Sequence, residues 1–568
     1  MAEAAAVEPA DKAKEEKAAR RTALLPFAVI SIAYLLFTVT DGAIRMIVLL
    51  HAYAGGFSAL QVALMFTLYE LAGVVTNLVA GFAGARLGIK CTLVTGLLLQ
   101  LVSYGMLFAW PAIYAESESS GVAGASDRCG SQNNLIVYVT IAQMFGGIAK
   151  DLTKLGGKTV TKLVTPGDKS TKLFKLVALL TGWKNSLKGV GYFLGSALIA
   201  VQYELALGVM MGLIAIALPV SIFGLDSKLG TASKKNAKFS DVFITHNPNL
   251  NWLSLARCFL FASRDFWFEV PLPFFLRSPS CEGLGATPCS SSLDCPGGAI
   301  CVNTTSYAEL DAVGLPCGGA GSALALSTAS GGSLSSVGSV CSNINVGGGC
   351  GGMGWDRVVV GSILASYIIV YGQFQSYTPQ LVTGPLGQTP PNKLTEVLWG
   401  VINCLPTAFM AVMAYALPSR VGADDTTAFA TCLMATVVIF ALIFAVNSSI
   451  HSFLVVHYAK ADKVATSVGF YYMSNAIGRL MGTLGSGVIY TYAGSVMGPL
   501  AGSDARAGLA ACFVAGTGSS LLAALITLKI KDEEAGLRCG SCVCIGKAQV
   551  VEGKATSTEK QTTATSQA

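Results

Sequence analysis

From residue 23 onward the chain alternates long apolar runs with short polar connections. Twelve such runs stand out, at about 23–50, 58–83, 91–112, 133–151, 173–201, 204–225, 250–276, 357–377, 395–417, 426–456, 464–493 and 507–530. Each is close to or above the ~20 residues a helix needs to cross a bilayer, so each predicts a membrane-spanning helix. Several are longer, which predicts tilt or helical extension into water. The first 22 residues are rich in Ala, Glu and Lys and lack an apolar core. They read as a solvated tail and not as a signal peptide.

Composition sharpens this picture. Of 568 residues, 52% are hydrophobic and only 12% charged, with a mean hydropathy of +0.59. A soluble domain carries about 25% charged residues, so a soluble globular chain is excluded. The net charge of +6 forms no separate basic domain, and no nucleic-acid partner is expected. Cations cluster in alternate connections: Lys12, Lys14, Lys17, Arg20 and Arg21; then Lys154, Lys158, Lys162, Lys169 and Lys172; then Lys228, Lys234, Lys235 and Lys238. The positive-inside rule places these, and with them both termini, in the cytoplasm. The expected organisation is a tail (1–22), a six-helix half (23–225), a cytoplasmic loop (226–249), a second six-helix half (250–530) and a tail (531–568).

The stretch 277–356 differs from the rest. It is rich in Gly and Ser, is expected outside the cell, and carries Cys281, Cys289, Cys295, Cys301, Cys317, Cys341 and Cys350. With Cys129 in the outer connection 113–132 the number becomes even, which suits disulfides in an oxidising compartment; the connectivity stays open. Asn303-Thr304-Thr305 is a glycosylation sequon in the same loop. A plasma-membrane location follows as an expectation. Cys539, Cys542 and Cys544 lie just inside the last run, where acylation or an inert thiol is the usual meaning.

A charge at the bilayer centre costs at least ~2.5–3.5 kcal/mol, so each intramembrane charge is a functional candidate. Asp41 and Arg45 lie four apart on the first run, a spacing at which they can pair. Glu70 lies in the second run, Lys150, Asp151 and Lys154 end the fourth, and Lys184 and Lys188 sit four apart in the fifth. Arg257, Arg264, Asp265 and Glu269 occupy the seventh, and Arg479 the eleventh. The cations are too many for lipid-facing accidents. Arg45, Lys184, Lys188, Arg264 and Arg479 are the candidates to bind a small anionic solute. Asp41, Glu70, Asp265 and Glu269 are the candidates to balance them or to couple a proton.

Nothing points to an enzyme, a cofactor or a metal site. Gly156-Gly157-Lys158-Thr159 resembles a phosphate loop, but Leu152 stands where the first glycine is required. His51, His246, His451 and His457 are scattered.

The connection Gly81-Phe82-Ala83-Gly84-Ala85-Arg86-Leu87-Gly88-Ile89-Lys90 resembles the cytoplasmic gating signature of the major facilitator superfamily at Gly81, Arg86, Gly88 and Lys90. Ala85 replaces its acidic residue and Ile89 its first basic one. Six plus six helices is also that superfamily's plan. The implied fold is an all-α membrane protein of twelve transmembrane helices in two six-helix halves, with a cysteine-rich extracellular insertion. A closer resemblance, to the organoarsenical efflux transporters of that superfamily (the ArsJ family), runs through residues about 27 to 490. It is carried by Thr40-Asp41-Gly42-Ala43-Ile44-Arg45-Met46, Tyr69-Glu70 with Thr76-Asn77, Gly147-Ile148-Ala149-Lys150-Asp151-Leu152, Thr181-Gly182-Trp183-Lys184-Asn185 with Lys188-Gly189-Val190-Gly191, and Asn251-Trp252-Leu253-Ser254 with Arg257. It continues through Arg264-Asp265-Phe266-Trp267-Phe268, Asn447-Ser448-Ser449-Ile450-His451-Ser452, Asp462-Lys463-Val464-Ala465, and Gly469-Phe470-Tyr471-Tyr472-Met473 with Asn475, Gly478-Arg479 and Gly482-Thr483. The resemblance implies export of 1-arseno-3-phosphoglycerate, made when glyceraldehyde-3-phosphate dehydrogenase uses arsenate, and hence arsenate resistance. Other expectations stay open. One is transport of a different phosphorylated or organic anion, with protons coupled through Asp41 or Glu70. Another is a surface receptor using the outer loop.

Overall fold

The computed structural model describes residues 29–30, 32–55, 57–113, 125–164, 170–225, 247–278, 300–303, 339–342, 352–416, 423–458, 464–501, 504–531, 536–540 and 542–545. These form α1 (Ile32–Ala54), α2 (Ala59–Met65), α3 (Thr67–Phe108), α4 (Ala125–Val164), α5 (Ser170–Val201), α6 (Tyr203–Gly224), α7 (Pro248–Phe268) and α8 (Pro271–Arg277). After two short strands come α9 (Arg357–Thr378), a π-helical turn (Pro379–Thr383), α10 (Lys393–Ile402), α11 (Cys404–Ala416), α12 (Ala423–Tyr458), α13 (Val464–Ala501) and α14 (Asp504–Thr527). Among the described residues nine segments are long and apolar enough to cross a membrane: Ile32–Ala54, Ala59–Asn77, Lys90–Ile113, Asn133–Lys154, Tyr203–Gly224, Arg357–Thr383, Lys393–Tyr415, Thr427–Val455 and Ala505–Thr527. The sequence reading gave twelve. The other three, α5, α7 and α13, each carry intramembrane cations and are packed among the nine.

The helix α3 is not one rod. Forty-two residues would span about 63 Å at 1.5 Å per residue, twice the hydrocarbon core. Yet both of its ends lie along α4. Gly147 packs on Tyr69 and Gly73 on Asp151, and Thr140 reaches the Leu64 carbonyl of the preceding α2, so the first leg runs parallel to α4. Tyr138 reaches the Met106 carbonyl, Gly146 packs on Ser103 and Gly96 on Thr153, so the second leg runs antiparallel. The chain therefore reverses between Gly73 and Gly96 with no non-helical residue. The sequence reading expected a loop there. Gly81, Arg86 and Gly88 lie in this helical backbone, and their side-chain surroundings fall outside the described residues; Lys90 is half-buried.

Other differences have local causes. The span expected at 395–417 is two helices, because Pro406 lacks an N–H and its ring crowds the Ile402 carbonyl. Pro271 breaks the seventh segment in the same way, leaving Glu269 at the gap between α7 and α8. The outer connection expected at 113–132 is shorter, since α4 begins at Ala125 and contains Cys129. Its polar start is simply helical beyond the apolar run.

Small residues let helices approach. A Cβ on Gly191 would overlap the Val39 carbonyl of α1, and one on Gly182 the Gly372 carbonyl of α9. Gly191→Leu should therefore cost about 1–3 kcal/mol by overpacking. Lower monodisperse yield after detergent extraction would register it. On the periphery Phe223, Val201, Trp183, Val190 and Phe193 are exposed, an apolar surface suited to lipid.

Of the insertion 277–356, the ends 277–278 and 352–356 are described together with two short antiparallel strands, β1 (Ile300–Asn303) and β2 (Ser339–Ser342), with Cys301 opposite Cys341 and Asn303 opposite Ser339. Cys281, Cys289, Cys295, Cys317 and Cys350 lie outside the described residues, as do the tail 1–22 and residues 226–246 of the central loop. In the second tail, β3 (Leu537–Cys539) and β4 (Cys542–Ile545) pair as a hairpin, and Gly540 N–H donates to the Leu386 carbonyl at 2.9 Å.

Candidate functional site

The intramembrane charges from α1, α3, α4, α5, α7 and α13 converge. Arg45 on α1 extends one guanidinium nitrogen to Glu70 of α3 at 2.5 Å and the other to Glu269 at 3.1 Å. Arg479 on α13 lies 2.9 Å from Glu70, 3.1 Å from Glu269 and 3.3 Å from Asp265. Arg264 binds Asp265 at 2.5 Å and approaches Glu269 to 3.9 Å. Lys150 of α4 completes the surroundings of Glu70 at 3.6 Å and lies over the Tyr69 ring. Lys154 pairs with Asp151 at 3.1 Å. Glu70 and Glu269 thus each accept three cations. Such density is needed, because a buried carboxylate costs several kcal/mol of lost hydration. Helix breaks position both: Glu70 follows the interruption at Phe66, and Glu269 sits at the Pro271 break.

The pair expected from the spacing of Asp41 and Arg45 does not form. Arg45 turns to Glu70 and Glu269, which offer it a two-pronged grip. Asp41 instead accepts a short hydrogen bond from the Tyr69 hydroxyl. Tyr69→Phe would leave a buried acceptor without that donor and should lower stability by about 1–3 kcal/mol, readable as a lower melting temperature in detergent.

Lys184 and Lys188 stand apart. Among the described residues neither amine has a carboxylate oxygen within 4.0 Å. The Lys188 amine lies 5.7 Å from the Tyr192 ring centroid. Around this centre cations outnumber carboxylates: Arg45, Lys150, Lys154, Lys184, Lys188, Arg264 and Arg479 against Asp41, Glu70, Asp151, Asp265 and Glu269. Counted by formal charge, the middle of the molecule holds two more cations than carboxylates, a balance that suits an anion.

A layer of amides and hydroxyls lies beside it. Asn185 donates to Gln375 at 2.7 Å, while Gln375, Tyr371 and Arg257 all reach the Ser448 hydroxyl, at 3.3, 3.1 and 3.4 Å. Arg257 also contacts Asn475 at 3.3 Å. The sequence reading noted Lys150, Arg257 and Asn475 without assigning them a role, and it missed the roles of Tyr69 and Glu396. Tyr69 carries no charge to flag it. Glu396 falls at the edge of an apolar run and reads as a boundary residue.

No protein-family model matches this chain, and no curated protein matches it. Solved structures do. The nucleoside transporter NupG is 10% identical over 89% of this chain and 100% of its own, with a TM-score of 0.53. A bacterial homologue of the iron transporter ferroportin, inward-facing, is 12% identical over 89% and 98%, with a TM-score of 0.49. Identities this low speak to fold alone. The chain is a multi-pass membrane protein whose fold is like that of NupG, and the likeness spans nearly the whole of both chains.

Proposed function

We propose that the chain is a twelve-helix transporter of the major facilitator type that exports a multiply charged organic anion by alternating access. The observation that carries this reading is the convergence of cations from both halves of the chain on one buried centre, with Lys184 and Lys188 lacking a carboxylate within ion-pair reach among the described residues. The three charge-bearing helices α5, α7 and α13 supply the crossings that apolarity alone does not count. Both termini are cytoplasmic and the cysteine-rich insertion is outside the cell. In the empty state Glu70, Glu269 and Asp265 hold Arg45, Arg264 and Arg479. An entering anion takes over some of those contacts, phosphate or carboxylate suiting the guanidinium fork and the lysines acting as point charges.

The resemblance to the ArsJ family narrows the solute to 1-arseno-3-phosphoglycerate, with glyceraldehyde-3-phosphate dehydrogenase as its source. An interior-negative potential drives such an anion outward by about 2.3 kcal/mol per charge per 100 mV, so export needs no nucleotide. Arsenate tolerance of cells expressing the chain, with and without the dehydrogenase, tests this. Tolerance that requires both supports it. Tolerance independent of the enzyme removes the arseno-ester, and vesicle flux of other phosphorylated anions then identifies the solute.

A further inference from the structure

A second buried ionisable group lies away from the arginine network, in the later half of the chain. Glu396 is in the first turn of α10 and His451 is on α12, and both side chains are excluded from solvent. The imidazole Nε2 lies 2.7 Å from Glu396 Oε1. Two lone pairs do not approach so closely, so a proton sits between them. The amide orientation that satisfies Asn447 places its nitrogen 2.6 and 3.1 Å from the two carboxylate oxygens, and its oxygen accepts from the Gly400 N–H at 3.1 Å. Glu396 is thereby fixed, whereas both imidazole nitrogens of His451 are buried without an aligned hydrogen-bond partner, Nε2 in contact with the carboxylate and Nδ1 facing no acceptor.

The 2.7 Å contact calls for one shared proton between Nε2 and Oε1, and Nδ1 can take a second. With one proton, on Nε2, the pair is a carboxylate and a neutral imidazole of net charge −1. A second proton on Nδ1 makes a carboxylate–imidazolium pair of net charge zero. Its source and its destination are water. Burial disfavours the net charge, while a neighbouring cation favours it. Arg257 of α7 binds the Ser448 hydroxyl, next along α12 to the Asn447 amide that holds Glu396 and on the same helix as His451. The other titratable neighbours are Tyr471 of α13 and, through Ser448, Tyr371 of α9. Arg257 also grips Ser448 and Asn475, in the polar layer that joins Gln375 and Asn185 to the central site. Asp41 and Glu70 are less suited to exchange a proton, because the Tyr69 hydroxyl donates to the first and three cations hold the second.

We propose that Glu396 and His451 form a proton-binding site, and that Arg257 links its occupancy to the central cation cluster. When the pair is neutralised, Arg257 loses its compensating charge and the positive surplus at the centre grows. Proton and anion then bind cooperatively and cross together. This rests on the transporter reading but not on the identity of the anion.

The test of the site itself needs no solute. Infrared difference spectra of the purified full-length protein, taken between acid and alkaline buffer, should show carboxylate and imidazole bands titrating together. Glu396→Gln and His451→Gln should each remove that paired signal. The second retains an amide donor for Glu396 and guards against a folding failure of the first. Arg257→Gln should move the midpoint to higher pH, because removing a cation eases protonation. A paired signal unaffected by both site variants overturns the site, and an unmoved midpoint in Arg257→Gln overturns the link. In proteoliposomes an imposed proton gradient should accelerate wild-type flux of the synthetic arseno-ester, and Glu396→Gln should lose that acceleration while retaining gradient-free exchange. A gradient-insensitive wild type overturns the coupling. Flux of some other anion in place of the ester refutes only the solute assignment, since the spectral titration stands independently.

Discussion

Lys184→Gln and Lys188→Gln should each abolish anion efflux while leaving folded protein in the membrane. Neither amine has a carboxylate within 4.0 Å among the described residues, so its removal strands no buried partner. What disappears is a charge-assisted contact to the solute, worth about 1.5–3 kcal/mol, or roughly ten- to a hundredfold in affinity. The two changes should not add fully, because both lysines meet one ligand. Flux in proteoliposomes, read beside size-exclusion profiles of the same preparations, separates lost binding from lost folding. Unchanged efflux in both variants would take these lysines out of the site.

Glu269→Ala should behave in the opposite manner. Arg45, Arg264 and Arg479 all lean on this carboxylate, and Glu70 and Asp265 cannot compensate all three. Breaking a buried pair by removing one partner costs about 3–5 kcal/mol, because an uncompensated charge remains behind. The variant should lose yield and melt at a distinctly lower temperature. Combining Glu269→Ala with Arg479→Ala should cost less than the sum of the single changes, since the second removes a charge that the first had stranded. A melting temperature unchanged by Glu269→Ala would mean that the network relaxes onto its other carboxylates.

The candidate site was half legible in advance. Arg45, Glu70, Arg264, Asp265, Glu269 and Arg479 are conspicuous because charge in an apolar run is costly and therefore rare. Their convergence was not legible, because Arg45 and Glu269 lie 224 residues apart. Local spacing even misled: four residues along a helix put Asp41 and Arg45 within reach of each other, but reach does not decide between competing partners. His451 looked isolated for the same reason, its carboxylate lying on a different helix. Conversely, Pro271 and Pro406 sit plainly in the sequence, and the breaks they impose follow from a missing N–H and a crowded carbonyl.

By itself the sequence determined that this chain lives in a membrane, where its helices run, and which side chains are too costly to lie idle there. Those properties are sums over neighbouring residues: hydropathy, helical rise and the desolvation of single charges. Only the tertiary structure decided that α3 doubles back along α4, that three carboxylates hold three arginines while two lysines stay apart from any of them, and that Glu396 meets His451. Pairing energies fall off within a few ångströms, and distances of that kind between remote segments are set by packing, not by the order of residues along the chain.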